Sequence, residues 1–155
     1  MTIFLPCLLE RWSATSLPTE QHRSFNTWQD VRKDVMRNLE WLLNTEQPRT
    51  LAGIELPSAV ERSVLCFGIP AYSGKVQSAF NVDDVAWSIR ERIIAFEPRI
   101  EAASLSVTPS GENEKTKFNR MRFTIHGFLR ADPLPLEFLV QSELDMEAGT
   151  ASIKG

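Results

Sequence analysis

Glu97, Pro98 and Arg99 bring together the residue types best suited to do chemistry in this chain. Proline lacks a backbone N–H and clashes with a preceding helical turn, and it pushes the residue before it toward extended backbone. In an extended run, residues two apart point to the same side. Glu97 and Arg99 can therefore present an acid and a guanidinium together on a stiff corner. One use of that pair is docking, in which a partner reads both charges. The other is a plain helix stop with two solvated charges, a common fate of helix-ending prolines. As exposed charges, either replaced by alanine should change stability by only about 0.5 kcal/mol.

Catalysis finds less support. A glycosidase needs two carboxylates about 5–10 Å apart, one of them kept protonated. Glu97 could pair with Asp83 or Glu101, but the neighbouring Arg99 favours the charged form, which is wrong for a general acid. His22 and His126 have no ligand-spaced partner, so no metal site is expected. Cys7 and Cys66 are far apart and form no CxxC pair, which suits small buried apolar residues better than a disulfide or a nucleophile. There is no phosphate-cradling glycine loop and no GxSxG. No cofactor and no catalytic residue are expected.

The elements that position these groups follow from periodicity. Residues 1–24 form an arm and linker, with Phe4, Leu5, Leu8 and Leu9 as anchors before a Ser/Thr/Pro stretch. Such an apolar patch is expected to order on its own domain or on a partner, which makes Leu8 and Leu9 contact candidates. Residues 25–155 are expected to form one domain. From about Thr27 to Leu43, the residues Val31, Val35, Leu39, Leu42 and Leu43 make one helical stripe, and Thr27 with Asp30 resembles a cap. Asn44 reads as the stop. Pro57 opens a second helix over Ser58 to Phe67, ended by Gly68 in left-handed backbone. Asp83 and Asp84 begin a third, with Val85, Ile89, Ile93 and Phe96 on one face.

After Arg99 the period changes to two. Leu105 and Val107 start a short strand; Met121, Phe123 and Ile125 alternate with polar residues; Leu136, Phe138, Val140 and Leu144 do the same. Thr150 to Ile153 makes a last strand after a loop from Asp145 to Gly149. The expected fold is α+β, with three helices in the N-terminal two-thirds packed on a C-terminal antiparallel sheet of three to four strands. The last strand leaves an edge able to recruit a strand from another chain, so Thr150 and Ile153 are contact candidates. Residues 146–155 supply only Met146 and Ile153 as large apolar groups, so their loss is expected to spare the core.

Bulk properties fit one soluble globular domain. At 155 residues the chain is long enough for one sizeable core. A net charge of −3 without a basic run argues against nucleic acid as partner. No apolar run is long enough to span a bilayer, and the N-terminus is a poor signal peptide, so a cytoplasmic location is expected.

Five segments carry a family resemblance: Leu8–Arg11, Val31–Val35 through Leu42-Leu43-Asn44-Thr45, Ser63–Pro70, Ile94–Ile100 and Pro135–Phe138. In that order they resemble the TssE family, the small baseplate subunits of type VI secretion systems. TssE proteins are similar to the baseplate-wedge proteins of contractile phage tails that initiate the sheath. The chain departs from the pattern at Cys66-Phe67 and Ala71-Tyr72. The resemblance implies a structural subunit and no enzyme, placed in the cytoplasmic baseplate of a membrane-anchored secretion machine. It implies wedge contacts with TssF and TssG, made through Glu97, Pro98 and Arg99, and a docking surface for the sheath subunits TssB and TssC. The alternative is a peptidoglycan-cleaving, lysozyme-like hydrolase, a label that the family also carries.

Overall fold

The computed structural model describes residues 28–48, 54–72, 81–110, 120–130 and 135–154. The chain divides into two contact units, residues 1–38 and 39–155. Among the described residues, three helices and a 3-10 turn precede four strands: α1 (Trp28–Leu43), α2 (Ser58–Glu61), the turn Val64–Cys66, α3 (Val82–Phe96), β1 (Ser106–Pro109), β2 (Arg120–Leu129), β3 (Leu136–Asp145) and β4 (Thr150–Lys154). The sheet is antiparallel throughout, in the order β1-β2-β3-β4. This is the expected α+β arrangement.

In the first unit, Val31 and Val35 of the α1 stripe are buried, and so is Asp34, which accepts from Arg37 one turn later. Thr27, the expected cap, lies outside the described residues, as does the arm with Leu8 and Leu9. In the second unit, Leu39, Leu42 and Leu43 continue the stripe and are buried.

The sheet has one covered and one solvated face, as period-two sequence requires. Met121, Phe123, Ile125 and Leu129 of β2 and Phe138, Val140, Ser142 and Leu144 of β3 point to the covered face. Burying Phe123 and Phe138 completely contributes about 1.5–3 kcal/mol each. Against β1 lies α3, whose Val85, Ala86, Ile89 and Ile93 are buried. Its first turn carries Asp83 and Asp84 as expected, and the cap is Asn81, whose Oδ1 accepts from the Asp83 N–H at 3.1 Å. From α3, Arg90 donates to the Leu105 carbonyl at 3.0 Å and to the Ala102 carbonyl at 3.3 Å, which ties the helix to the entry of β1.

Two expectations need correction here. The run Ser58 to Phe67 is not one helix. Ser63 interrupts it: its hydroxyl donates to the Val60 carbonyl at 2.7 Å and accepts from the Leu65 N–H, in place of the main-chain ladder. Val64 and Leu65 then stand exposed rather than buried. Residues 146–155 also bring more to the core than expected: Met146 is 1% exposed and Ala151 is buried.

Gly68 ends this segment at φ +108°, and space as well as conformation demands glycine there. A Cβ at Gly68 would stand 2.3 Å from the Thr45 carbonyl oxygen. The close approach lets the exit of α1 pair with the chain after Gly68. The Ile69 N–H donates to the Thr45 carbonyl and the Gln47 N–H to the Ile69 carbonyl, each at 2.9 Å.

Candidate partner-docking surface

The Glu97 corner begins as the end of α3. The Glu97 N–H donates to the Ile93 carbonyl at 2.8 Å, and its backbone then turns to φ −125°, ψ 77°, as the following proline requires. Ile89, Ile93 and Glu97 lie four residues apart, so the helical period carries Glu97 onto the buried stripe. Glu97 is 2% exposed. A carboxylate taken out of water must be paired. Arg99 provides the pairing: its Nε donates to Glu97 Oε1 at 2.7 Å, its Nη2 to Oε2 at 2.6 Å, and its backbone N–H to Oε1 at 3.3 Å.

This corrects the expectation of two charges offered outward. The extended backbone does bring Glu97 and Arg99 together, but they face each other. Pro98 is exposed, and the Arg99 side chain keeps a quarter of its surface open. The signal in the sequence was the spacing of Glu97 from Ile93, with the arginine two residues beyond it. Past the corner the chain is pinned to the end of β2. Ile100 bridges Leu129, the Glu101 N–H donates to the Phe128 carbonyl at 2.8 Å, and the Arg130 N–H donates to the Arg99 carbonyl at 2.7 Å.

The second candidate is the outer edge of β4. In an antiparallel ladder, alternate residues turn their N–H and C=O toward the neighbouring strand, and the residues between turn both groups away. Ala151 bonds outward, so Thr150, Ser152 and Lys154 face β3, while Ala151 and Ile153 face away from it. Asn44 occupies the first of these outward positions. Its Nδ2 donates to the Ala151 carbonyl at 2.8 Å, and its Oδ1 accepts from the Ala151 N–H at 2.9 Å. The backbone of Thr150 is thus committed to β3, whereas that of Ile153 points to the outer edge. The opposite edge is blunter: β1 has four residues, and Pro109 brings no N–H to it.

These observations fit a protein built for contact, and the comparison with protein families decides its membership. A family model described as baseplate wedge protein gp25 matches residues 29–134. The chain belongs to that family. The matched span covers Asn44, Gly68 and the Glu97–Arg99 corner, and it ends before β3. Neither the curated proteins nor the solved structures give a match.

On the solvated face of the sheet, this wedge-family chain carries a lattice of ion pairs. Arg120 bonds Glu143 and Asp145, each at 3.1 Å, and Arg122 bonds Glu143 at 3.0 Å. The hydrogen bond from Arg122 holds the Glu143 carboxyl below its usual range. Asp145 is lowered too, first by the Ala148 N–H in the hairpin turn. His126 meets Glu137 at 3.1 Å on the same face. Burial pushes the Tyr72 phenol up.

For hydrolysis the arrangement is poor. Both Glu97 oxygens accept from Arg99, so neither is placed to hand a proton to a substrate. Cys66 is buried. Among the described residues, no group of three or more His, Cys, Asp or Glu could hold a metal ion, and no helix is long and apolar enough to cross a membrane.

Proposed function

We propose that this chain is the TssE-type structural subunit of a type VI secretion baseplate, binding the wedge subunits TssF and TssG and templating polymerisation of the TssB–TssC sheath. The observation that carries the reading is the outer edge of β4, where the N–H and C=O of Ile153 face away from the sheet in a chain of the baseplate wedge family. An edge of this kind adds a strand from another chain through main-chain bonds. The exposed Pro98 and the open part of Arg99 are the proposed wedge contact, with the Glu97 pairing holding their shape. The placement is the cytoplasmic side of a membrane-anchored machine, where the wedge and the sheath meet.

Ile153→Pro tests the sheath contact. It removes one outward N–H and no bond to β3, a substitution an edge strand tolerates. In cells carrying this variant and a fluorescent sheath subunit, sheath numbers should fall sharply while TssF and TssG still co-purify with the tagged chain. Normal sheath numbers would place the docking surface elsewhere. Loss of TssF and TssG alone would leave the sheath contact unsupported.

A further inference from the structure

We infer that Asn44 is a latch that keeps this chain from pairing edge to edge with a second copy of itself. The inference does not depend on which chain the edge serves in the assembly. Its basis is a side chain, from the exit of α1, that binds both main-chain groups of Ala151, a residue 107 positions away. An amide side chain that offers Ala151 an N–H donor and a C=O acceptor takes the place a neighbouring strand would fill.

The self-pairing it would prevent can be specified. The outward residues of β4 are Ala151 and Ile153. An antiparallel pairing of two copies centred on Ser152 sets each Ala151 opposite the second copy's Ile153, as narrow hydrogen-bonded pairs. It sets Lys154 opposite Thr150, so no like charges meet. The two sheets would become one. With Asn44 on Ala151, every outward pair in that register lacks one partner. The register centred on Ile153 keeps a single pair, too little to hold two chains. The exit of α1 is itself fixed, because the Thr45 carbonyl accepts from Ile69 and Asn44 also donates to the Glu40 carbonyl at 2.8 Å. Natural sheets protect their edges with charge, proline or a covering element. Here the covering element is one amide at one position, and the N–H and C=O of Ile153 still point outward.

The test uses the full chain, with light scattering after size-exclusion chromatography over a range of concentrations. Wild type should be monomeric, with the Ala151 amide protected from hydrogen exchange and the Ile153 amide unprotected. Asn44→Ala should dimerise about tenfold more tightly or better. Asn44→Ala combined with Ile153→Pro should return to monomer, because the outward N–H of Ile153 is gone. Asn44→Asp keeps the acceptor for the Ala151 N–H and loses the donor for its carbonyl, so it should dimerise to an intermediate degree even if the alanine variant fails to fold. An Asn44→Ala or Asn44→Asp chain that stays monomeric at every concentration would overturn the latch and leave Asn44 a simple tether of α1. Dimers that persist with Ile153→Pro would overturn it too, since pairing would then lie elsewhere.

Discussion

Arg99 closes on Glu97 with both ends of its guanidinium, at 2.7 and 2.6 Å, while the carboxylate is almost wholly withdrawn from water. That geometry reverses what two charges flanking a proline suggest. Breaking a buried pair from one side strands the other charge, at a cost of roughly 3–5 kcal/mol. The partial exposure of Arg99 lowers the figure. Glu97→Ala should lose about 2–4 kcal/mol, read as a lower urea midpoint with the slope unchanged. Arg99→Lys should lose less but not nothing, because a point charge cannot reproduce the fork. A Glu97→Ala midpoint equal to wild type would show that the pair is not a staple.

Gly68→Ala should be among the worst small substitutions in the chain. It forces a side chain into left-handed backbone, and its Cβ would stand 2.3 Å from the main-chain oxygen of Thr45. Strain of this kind costs roughly 1–3 kcal/mol before the collision is counted. Gly127→Ala makes a useful contrast, since its Cβ would come no nearer than 3.3 Å to a side-chain atom of Ile100. Thermal melts of the two variants should place Gly68→Ala well below Gly127→Ala; the reverse order would contradict the packing at Thr45.

Much of this fold was legible from period alone. The stripes of α1 and α3 and the alternation of β2 and β3 are simple consequences of 3.6- and 2-residue repeats, and they place the buried residues correctly except at the ends, where Phe96 and Leu136 are only half-buried. Ser58 to Phe67 misled because spacing alone does not register that the Ser63 hydroxyl competes with the ladder. Glu97 misled because a charged residue on an apolar stripe reads as a stop unless its partner is recognised. Asn44 reads as a helix end, which it is, but its pairing with Ala151 joins residues 107 apart and has no local signature. The candidate site is thus visible in its residue types and invisible in its partnerships.

The solvated face should make stability depend on pH. The folded-state carboxyls of Glu143 and Asp145 lie below their ordinary values of 4.5 and 3.8, chiefly through the bonds from Arg122 and from the Ala148 N–H. A depressed carboxyl contributes stability that is present above its unfolded value and lost as pH falls through its folded value. Stability should therefore decline as the medium is acidified below about pH 4.5. Glu143→Gln removes one of the two groups, so urea midpoints across this range should fall less steeply than in wild type. Both residues are open to solvent in part, so the effect should shrink in high salt. Parallel curves for variant and wild type would mean the lattice contributes nothing through Glu143.

Removing residues 146–155 should unfold much of the second unit, although the segment looks dispensable by composition. Met146 sits in the hairpin turn with 1% of its surface exposed. The turn is held by the Asp145 carboxylate, which accepts from the Glu147 and Ala148 N–H groups, each at 3.0 Å. Truncation deletes the buried thioether, exposes the outward groups of β3 and releases Asn44 from Ala151. Met146→Ala isolates the first of these losses. A buried Met cut back to Ala leaves a cavity and costs roughly 2–5 kcal/mol. The expected result is a clear drop in urea midpoint for Met146→Ala and no cooperative transition in the truncated chain. A truncated chain that melts like wild type would show that the hairpin is peripheral, and it would then become the cleaner tool for testing sheath docking. If the drop appears instead, a truncation that abolishes sheath formation says nothing about docking, and only edge variants such as Ile153→Pro can separate contact from folding.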